Sequence, residues 1–364
     1  MEFKDIPNWQ TLKKRYTAFV ENRLEDDCII AQIQNPGCDF SKVKTPAIFA
    51  DAGDKKYLDP KIYYAFQKFR YDLWSWHGDL FRYAVPSYGP NVFIGFCGAK
   101  VVFGSDSVWH EPAIESLDEA DKIHFDKDNI YFRYLLESID YGVKNVLPER
   151  QLALPDLGGP TDWISAVMGT ENFLIASIEE PDKMREFASR LARECNEAYS
   201  ICEKLISPYM DGAINWMPVW NKEKFVTLQD DMAINFSPQM YKDLFMPAME
   251  ILAQPAKFRV MHWHDGCAQH VTNILESKLV DVLQFGHDPN TGPHRNYLPQ
   301  MQQIQAAGVK LFISCVQAAD VEFFIQNLNP VGLMMIIDTV SDEASEQMRK
   351  DLPIMIRKRL AQLW

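Results

Sequence analysis

The sequence predicts an α/β protein built as a single (β/α)8 TIM barrel with a helical N-terminal extension. Three observations carry this. From Gln151 onward, short apolar runs alternate with helical patterns, the arrangement of parallel strands joined by helical crossovers. The runs number seven, and Leu80–Val85 supplies an eighth. There is no G-x-G-x-x-G and no phosphate loop, which a doubly wound open sheet, the alternative, usually shows after its first strand. Residues 1–60 are expected to form the extension and residues 61–364 the barrel.

In the extension, Trp9–Leu24 is helical in pattern, and Asn35-Pro36-Gly37 reads as a turn. After the strand Leu80–Val85 comes a long insertion that includes Phe96–Phe103. The strand-like runs are then Gln151–Leu154, Gly212–Met217, Val226–Gln229, Phe258–His262, Val280–Phe285, Lys310–Ser314 and Gly332–Ile337. Between Pro181 and Ile206, apolar residues fall on one helical stripe, from Met184 and Phe187 through Leu191 and Cys195 to Leu205. Pro181 suits the first turn, and Asp182 suits the positive end of the helix dipole. Ser237-Pro238 reads as an N-cap followed by proline, opening a helix towards Ala253 that Pro247 should kink. Gln317–Asn327 and Ser341–Leu363 are further amphipathic candidates.

Composition narrows the function classes. In 364 residues, 37 basic and 50 acidic side chains leave a formal charge of −13. Such a chain repels phosphate backbones, which argues against nucleic-acid binding. The run Val331–Ile337 is far shorter than the ~20 residues that cross a bilayer, so no membrane association is expected. The opening MEFKDIPNWQ lacks an apolar signal core. Seven cysteines without a C-x-x-C pair read as reduced thiols. A cytoplasmic protein is the expectation.

The densest polar cluster is His262-Trp263-His264-Asp265, directly after an apolar run. At the C-terminal end of a barrel strand these residues would sit where barrel enzymes place their chemistry. Side chains two apart on a strand share a face, so His262 and His264 can aim at one point and serve as metal ligands. The alternative is a metal-free polar mouth. Cys315, ending another run, is the candidate third ligand. Asp231 follows a strand with Asp230 and is a candidate ligand or base; the alternative is a solvated turn. His287 ends a further run, as does Asp338. Upstream, Trp76 and Asp79 lie in an aromatic string, where a buried Asp79 would have a raised pKa and act as an acid. Trp216 belongs to a second aromatic string that can line the same pocket. Asp79, Asp231 and His264 are thus the candidate catalytic residues, and Trp76, Trp216 and His287 the candidate substrate contacts. His262, His264 and Cys315 form the candidate metal set.

The chain also resembles the uroporphyrinogen decarboxylase-like family. The resemblance rests on Gly158-Gly159-Pro160-Thr161-Asp162, Gly169-Thr170-Glu171-Asn172, Asp231 with Phe236-Ser237-Pro238-Gln239-Met240-Tyr241, Met261 to Gly266, and Ile304 to Lys310. It implies a TIM barrel with its site in the mouth, and two activities. One is a zinc-dependent methyltransferase acting with a thiol acceptor or a corrinoid protein. The other is a decarboxylase of a tetrapyrrole or another flat acidic substrate, a lyase in which Asp79 is the nearest match to the family's aspartate. A non-catalytic ligand-binding barrel is a third reading. The methyltransferases hold zinc with H-x-C and a distant cysteine; here His262-Trp263-His264 replaces H-x-C, and the late cysteine expected near Ile336 is absent. The decarboxylase's arginine-rich segment is also missing: the corresponding stretch reads Lys44-Thr45-Pro46-Ala47-Ile48-Phe49-Ala50-Asp51-Ala52-Gly53. No efficient decarboxylation of uroporphyrinogen is therefore expected.

Overall fold

The computed structural model describes residues 9–23, 29–104, 107–147, 149–288 and 291–363. Its centre is a mixed sheet of seven strands: β1 (Ile30–Pro36), β2 (Trp74–Gly78), β9 (Phe225–Leu228), β10 (Phe258–Met261), β11 (Val282–Phe285), β12 (Lys310–Gln317) and β13 (Leu333–Asp338), in the order β2-β1-β13-β12-β11-β10-β9. All neighbours are parallel except β2, which runs antiparallel to β1 at the edge. The β11 residues are all buried, as expected of a parallel strand covered on both faces. Two short strands, β3 (Tyr83–Ala84) and β6 (Gln151–Leu152), pair in parallel beside it. The insertion after β3 carries an antiparallel hairpin of β4 (Lys100–Phe103) and β5 (Val108–Glu111). The mixed α/β class with a large parallel sheet is as the sequence predicts.

Several elements differ from the sequence reading, among them Trp74–Gly78, read as an aromatic string and found as the edge strand β2. Ile30–Pro36 is a strand of the central sheet, with Ile33 beside Ile337 and Gln34 beside Asp338, where the sequence reads a helical extension and a turn. Gln32 hides it. A buried glutamine interrupts the apolar run, and it is tolerated because its Nε2 donates to the Tyr16 hydroxyl and the Pro218 carbonyl. Gly212–Met217 is not a strand leading into a helix. Only β7 (Ala213–Ile214) is extended, and it folds back on β8 (Trp220–Asn221). Asn215 closes that turn by accepting the Val219 N–H.

The helices follow their local signals more closely. The long helix spans Pro181–Ile206, with Met184, Phe187, Leu191, Cys195 and Cys202 among its buried residues. Ser237 accepts the Met240 N–H at 3.2 Å and caps the helix Pro238–Leu244. Pro247, which has no N–H, cannot bond to the Asp243 carbonyl. The chain accordingly breaks at Phe245 and restarts as Met246–Leu252, and Arg185 Nε takes the Asp243 oxygen at 2.8 Å. Among the described residues no helix is long and apolar enough to cross a membrane.

Candidate metal centre

The C-terminal ends of β9, β10 and β11 build one polar corner. His262 directly follows β10, and its N–H donates to the Leu228 carbonyl of β9. His264 forms a single parallel bridge with Gly286 past the end of β11. Both imidazoles therefore turn the same way, with their Nε2 atoms 3.3 Å apart. Asp231 enters from the end of β9. Its Oδ1 lies 3.7 Å from His262 Nε2 and its Oδ2 3.8 Å from His264 Nε2.

Asp231 is held by a reciprocal lock. Asp162 accepts the backbone N–H groups of Asp231 (3.1 Å) and Met232 (2.9 Å). In return, Asp230 accepts the N–H and hydroxyl of Thr161. The two turns meet so closely that a Cβ at Gly159 would lie 1.8 Å from the Gln229 carbonyl oxygen. Gly158 takes a positive φ of 84°. The run Gly158–Asp162 thus has a physical reason: two glycines for approach, then proline, threonine and aspartate for the lock. Burial pushes the carboxyl groups of Asp162 and Asp230 up, and the Asp231 charge adds to this.

The ring tautomer of His262 is fixed from outside. Its Nδ1 lies 2.5 Å from Gln284 Oε1, an acceptor, so Nδ1 carries the proton and the Nε2 lone pair faces His264 and Asp231. Burial holds the His262 pKa below its ordinary value, while the Asp231 charge pulls it up. The residues fit a divalent metal. Two nitrogens bound at ~2.0–2.1 Å with a tetrahedral angle stand about 3.3–3.4 Å apart, and the two Nε2 atoms do. Asp231 Oδ1 is shielded from solvent and makes no hydrogen bond, as an oxygen waiting for a cation would be. Half-exposed Asp231 can close the remaining few tenths of an ångström.

Trp216 packs edge-on against His262 at 4.8 Å between ring centroids, so this aromatic string does reach the site. On the other side of Asp231 a cavity of about 460 Å³ is lined by Asn91, Trp109, His110, Asp162 and Thr170, room for a small molecule. Burial lowers the His110 pKa to about 4, so the ring facing that cavity is neutral.

The other sequence candidates lie elsewhere. Asp79 is gripped in two-point fashion by Arg15 (2.5 and 2.8 Å) and accepts the Ala31 N–H at 2.8 Å, at the N-terminal end of β1. That is the opposite end of the parallel strands from Asp231. Trp76, on the antiparallel edge strand, packs on Tyr71 and donates to its carbonyl. Cys315 sits exposed at a break in the β12–β13 register with φ of 57°, and its thiol does not join the His/Asp group. His287 belongs to a second group with Asp265 and His294. The sequence reading missed Gln284, His294 and Asp156, which lies just past β6 and whose carboxyl burial pushes up to about 7. Asp156 follows a strand end, the signal that flagged Asp231. No family model matches the chain, and no curated protein does.

Proposed function

We propose that the protein is a divalent-metal-dependent methyltransferase of uroporphyrinogen decarboxylase-like type, with zinc held by Asp231, His262 and His264. The sheet and the β3–β6 pair would close into a (β/α)8 barrel. In support, the Leu154 N–H donates to Ile214 and Asn215 Nδ2 to Thr227 Oγ1 across the seam. The observation that carries the function is the convergence of the His262 Nε2 lone pair, His264 Nε2 at 3.3 Å from it and one orphaned carboxylate oxygen beside a cavity.

A zinc ion there would favour the thiolate form of an acceptor thiol at neutral pH. The chain's own residues supply the rest. Gln284 keeps the proton on His262 Nδ1, leaving Nε2 to bind. Trp216 covers His262 on one side and keeps water off that face. The cavity beside Asp231, with neutral His110 and an Asp162 carboxyl that burial pushes up, suits an uncharged methyl donor or the face of a methylated corrinoid. The metal-free decarboxylase reading loses its acid, because both Asp79 oxygens are occupied by Arg15 and Ala31.

The test is cobalt loading of the metal-stripped protein. One Co²⁺ per chain at this site should give a visible spectrum that gains a sulfur charge-transfer band when a thiol is added, and methyl transfer from methylcobalamin to that thiol. His262→Ala should lose both. Cobalt uptake at this site that is indifferent to His262→Ala would overturn the reading.

A further inference from the structure

A second polar group lies beside the first, and the proposed chemistry does not use it. Asp265 and His294 are buried, while His287 is exposed. Asp265 Oδ1 is already engaged, accepting the Asp288 N–H at 3.1 Å and the Thr291 hydroxyl at 2.5 Å. Its Oδ2 faces Nδ1 of His287 and Nδ1 of His294, each at 3.4 Å.

His294 decides what fits between them. Its Nε2 lies 2.8 Å from the Ser314 carbonyl. A carbonyl only accepts, so Nε2 carries the proton and the neutral ring presents a lone pair at Nδ1. That atom is shielded from solvent and makes no hydrogen bond, in a side chain only 6% exposed. A lone pair and a carboxylate oxygen thus face each other on buried side chains, with exposed His287 in hydrogen-bond reach of the same oxygen, and the pair repels unless a cation stands between. A proton fits poorly. Burial pushes the His294 pKa down, and a charge-assisted N–H···O⁻ bond closes to ~2.7–2.9 Å, well short of 3.4 Å. A metal fits better, because 3.4 Å is the N···O edge expected around an ion bound tetrahedrally at ~2.0–2.1 Å.

We infer that Asp265 Oδ2, His287 Nδ1 and His294 Nδ1 form a second binding site for a divalent ion of the zinc or cobalt class. Imidazole donors select these ions over magnesium or calcium. The site shares no side chain with the first: His264 belongs to one and its neighbour Asp265 to the other. It is therefore a separate ion and not a bridged catalytic pair. Its chemistry is structural. It ties the end of β10 to the chain after β11, and through the Ser314 carbonyl to β12.

The site stands independently of the proposed function, and the test separates the two. Metal-stripped H262A/H264A protein, which lacks the first site, is titrated with Co²⁺ and its bound metal counted after dialysis. One ion per chain and a melting temperature raised by a few degrees are expected. Adding His294→Gln should remove both. His287→Ala, an exposed change that leaves the fold intact by circular dichroism, should weaken the remaining ion at least tenfold. The inference is overturned if the H262A/H264A protein binds no cobalt, if the His294→Gln addition leaves binding unchanged, or if His287→Ala has no effect on affinity. Wild-type protein that binds one ion, retained in H262A/H264A, would uphold this site and sink the Asp231 one.

Discussion

Asp79 and Asp231 are both aspartates that the sequence marks as catalytic candidates, Asp79 from an aromatic string and Asp231 from the end of a strand-like run. In the fold they occupy opposite ends of the parallel strands and opposite conditions. Asp79 has its two oxygens filled by Arg15 and the Ala31 N–H. Asp231 has its backbone fixed by Asp162, and its carboxylate, with Oδ1 free of hydrogen bonds, faces two imidazoles at 3.7 and 3.8 Å. The difference teaches where a carboxylate can work. One satisfied by a guanidinium holds the fold together, while one positioned through its backbone keeps its oxygens for a ligand.

The sharpest way to break this comparison is to delete each carboxylate. Asp79→Ala should destabilise the protein by about 3 kcal/mol or more in urea unfolding, because it leaves the Arg15 charge and the Ala31 N–H at a largely buried position without that partner. Metal uptake by the folded fraction should not change. A loss below ~1 kcal/mol would mean that Asp79 is not structural. Asp231→Asn should do the reverse. Metal-free stability should shift by less than ~1 kcal/mol, while Co²⁺ affinity falls about 100-fold, some 2.7 kcal/mol. Equal affinities in a competition titration would remove Asp231 from the ligand set.

How much of this was legible depended on strand direction. The rule that parallel strand ends gather chemistry placed His262, His264 and Asp231 together without any knowledge of their contacts. It did not bear on Asp79, which its aromatic string marked: Trp74–Gly78 is a strand that runs antiparallel, so its end points to the opposite rim. It misled at Cys315 because β12 continues to Gln317 and its pairing slips between Ile313 and Val316, which breaks the alternation that aims side chains. Gln32 and Gln284 escaped notice for one reason. A single glutamine inside an apolar run reads as an interruption, and only its partners, Tyr16 and Pro218 for one, His262 for the other, make it part of the design.

Two buried groups near Asp231 should respond to acid in opposite directions. His110, in the cavity beside Asp231, has a folded pKa of about 4 through burial, against an ordinary ~6.5 in the unfolded chain. Between these values the unfolded state binds more protons, so stability falls as pH falls. From pH 7 to pH 5 this removes about 2 kcal/mol. Asp156, raised to about 7, acts in the opposite direction: its folded state binds more protons, so its contribution grows on acidification. It does so equally in a His110→Leu variant. The variant should therefore lose about 2 kcal/mol less than wild type over that interval in paired urea titrations. Parallel pH curves would show that His110 is not a buried neutral ring.

The smallest effect sharpens the comparison at its finest point, since Asp231 works only if its partner imidazole presents a lone pair. Gln284 Oε1 holds the His262 Nδ1 proton, and such outer contacts typically alter metal affinity by ~10–100-fold. Gln284→Met keeps the volume but removes the acceptor. The imidazole can then carry its proton on either nitrogen, so part of the population turns an N–H towards the ion and must exchange it before binding. Co²⁺ affinity should drop about tenfold. Gln284→Glu replaces the amide oxygen with a charged acceptor, which fixes the same tautomer and makes the ring more basic. Its affinity should equal or exceed wild type. The two variants must therefore move apart, with metal-free stability as the control for packing at this buried position. If both weaken binding equally, Gln284 only fills space, and the orientation of His262 comes from Trp216 and the Leu228 hydrogen bond alone.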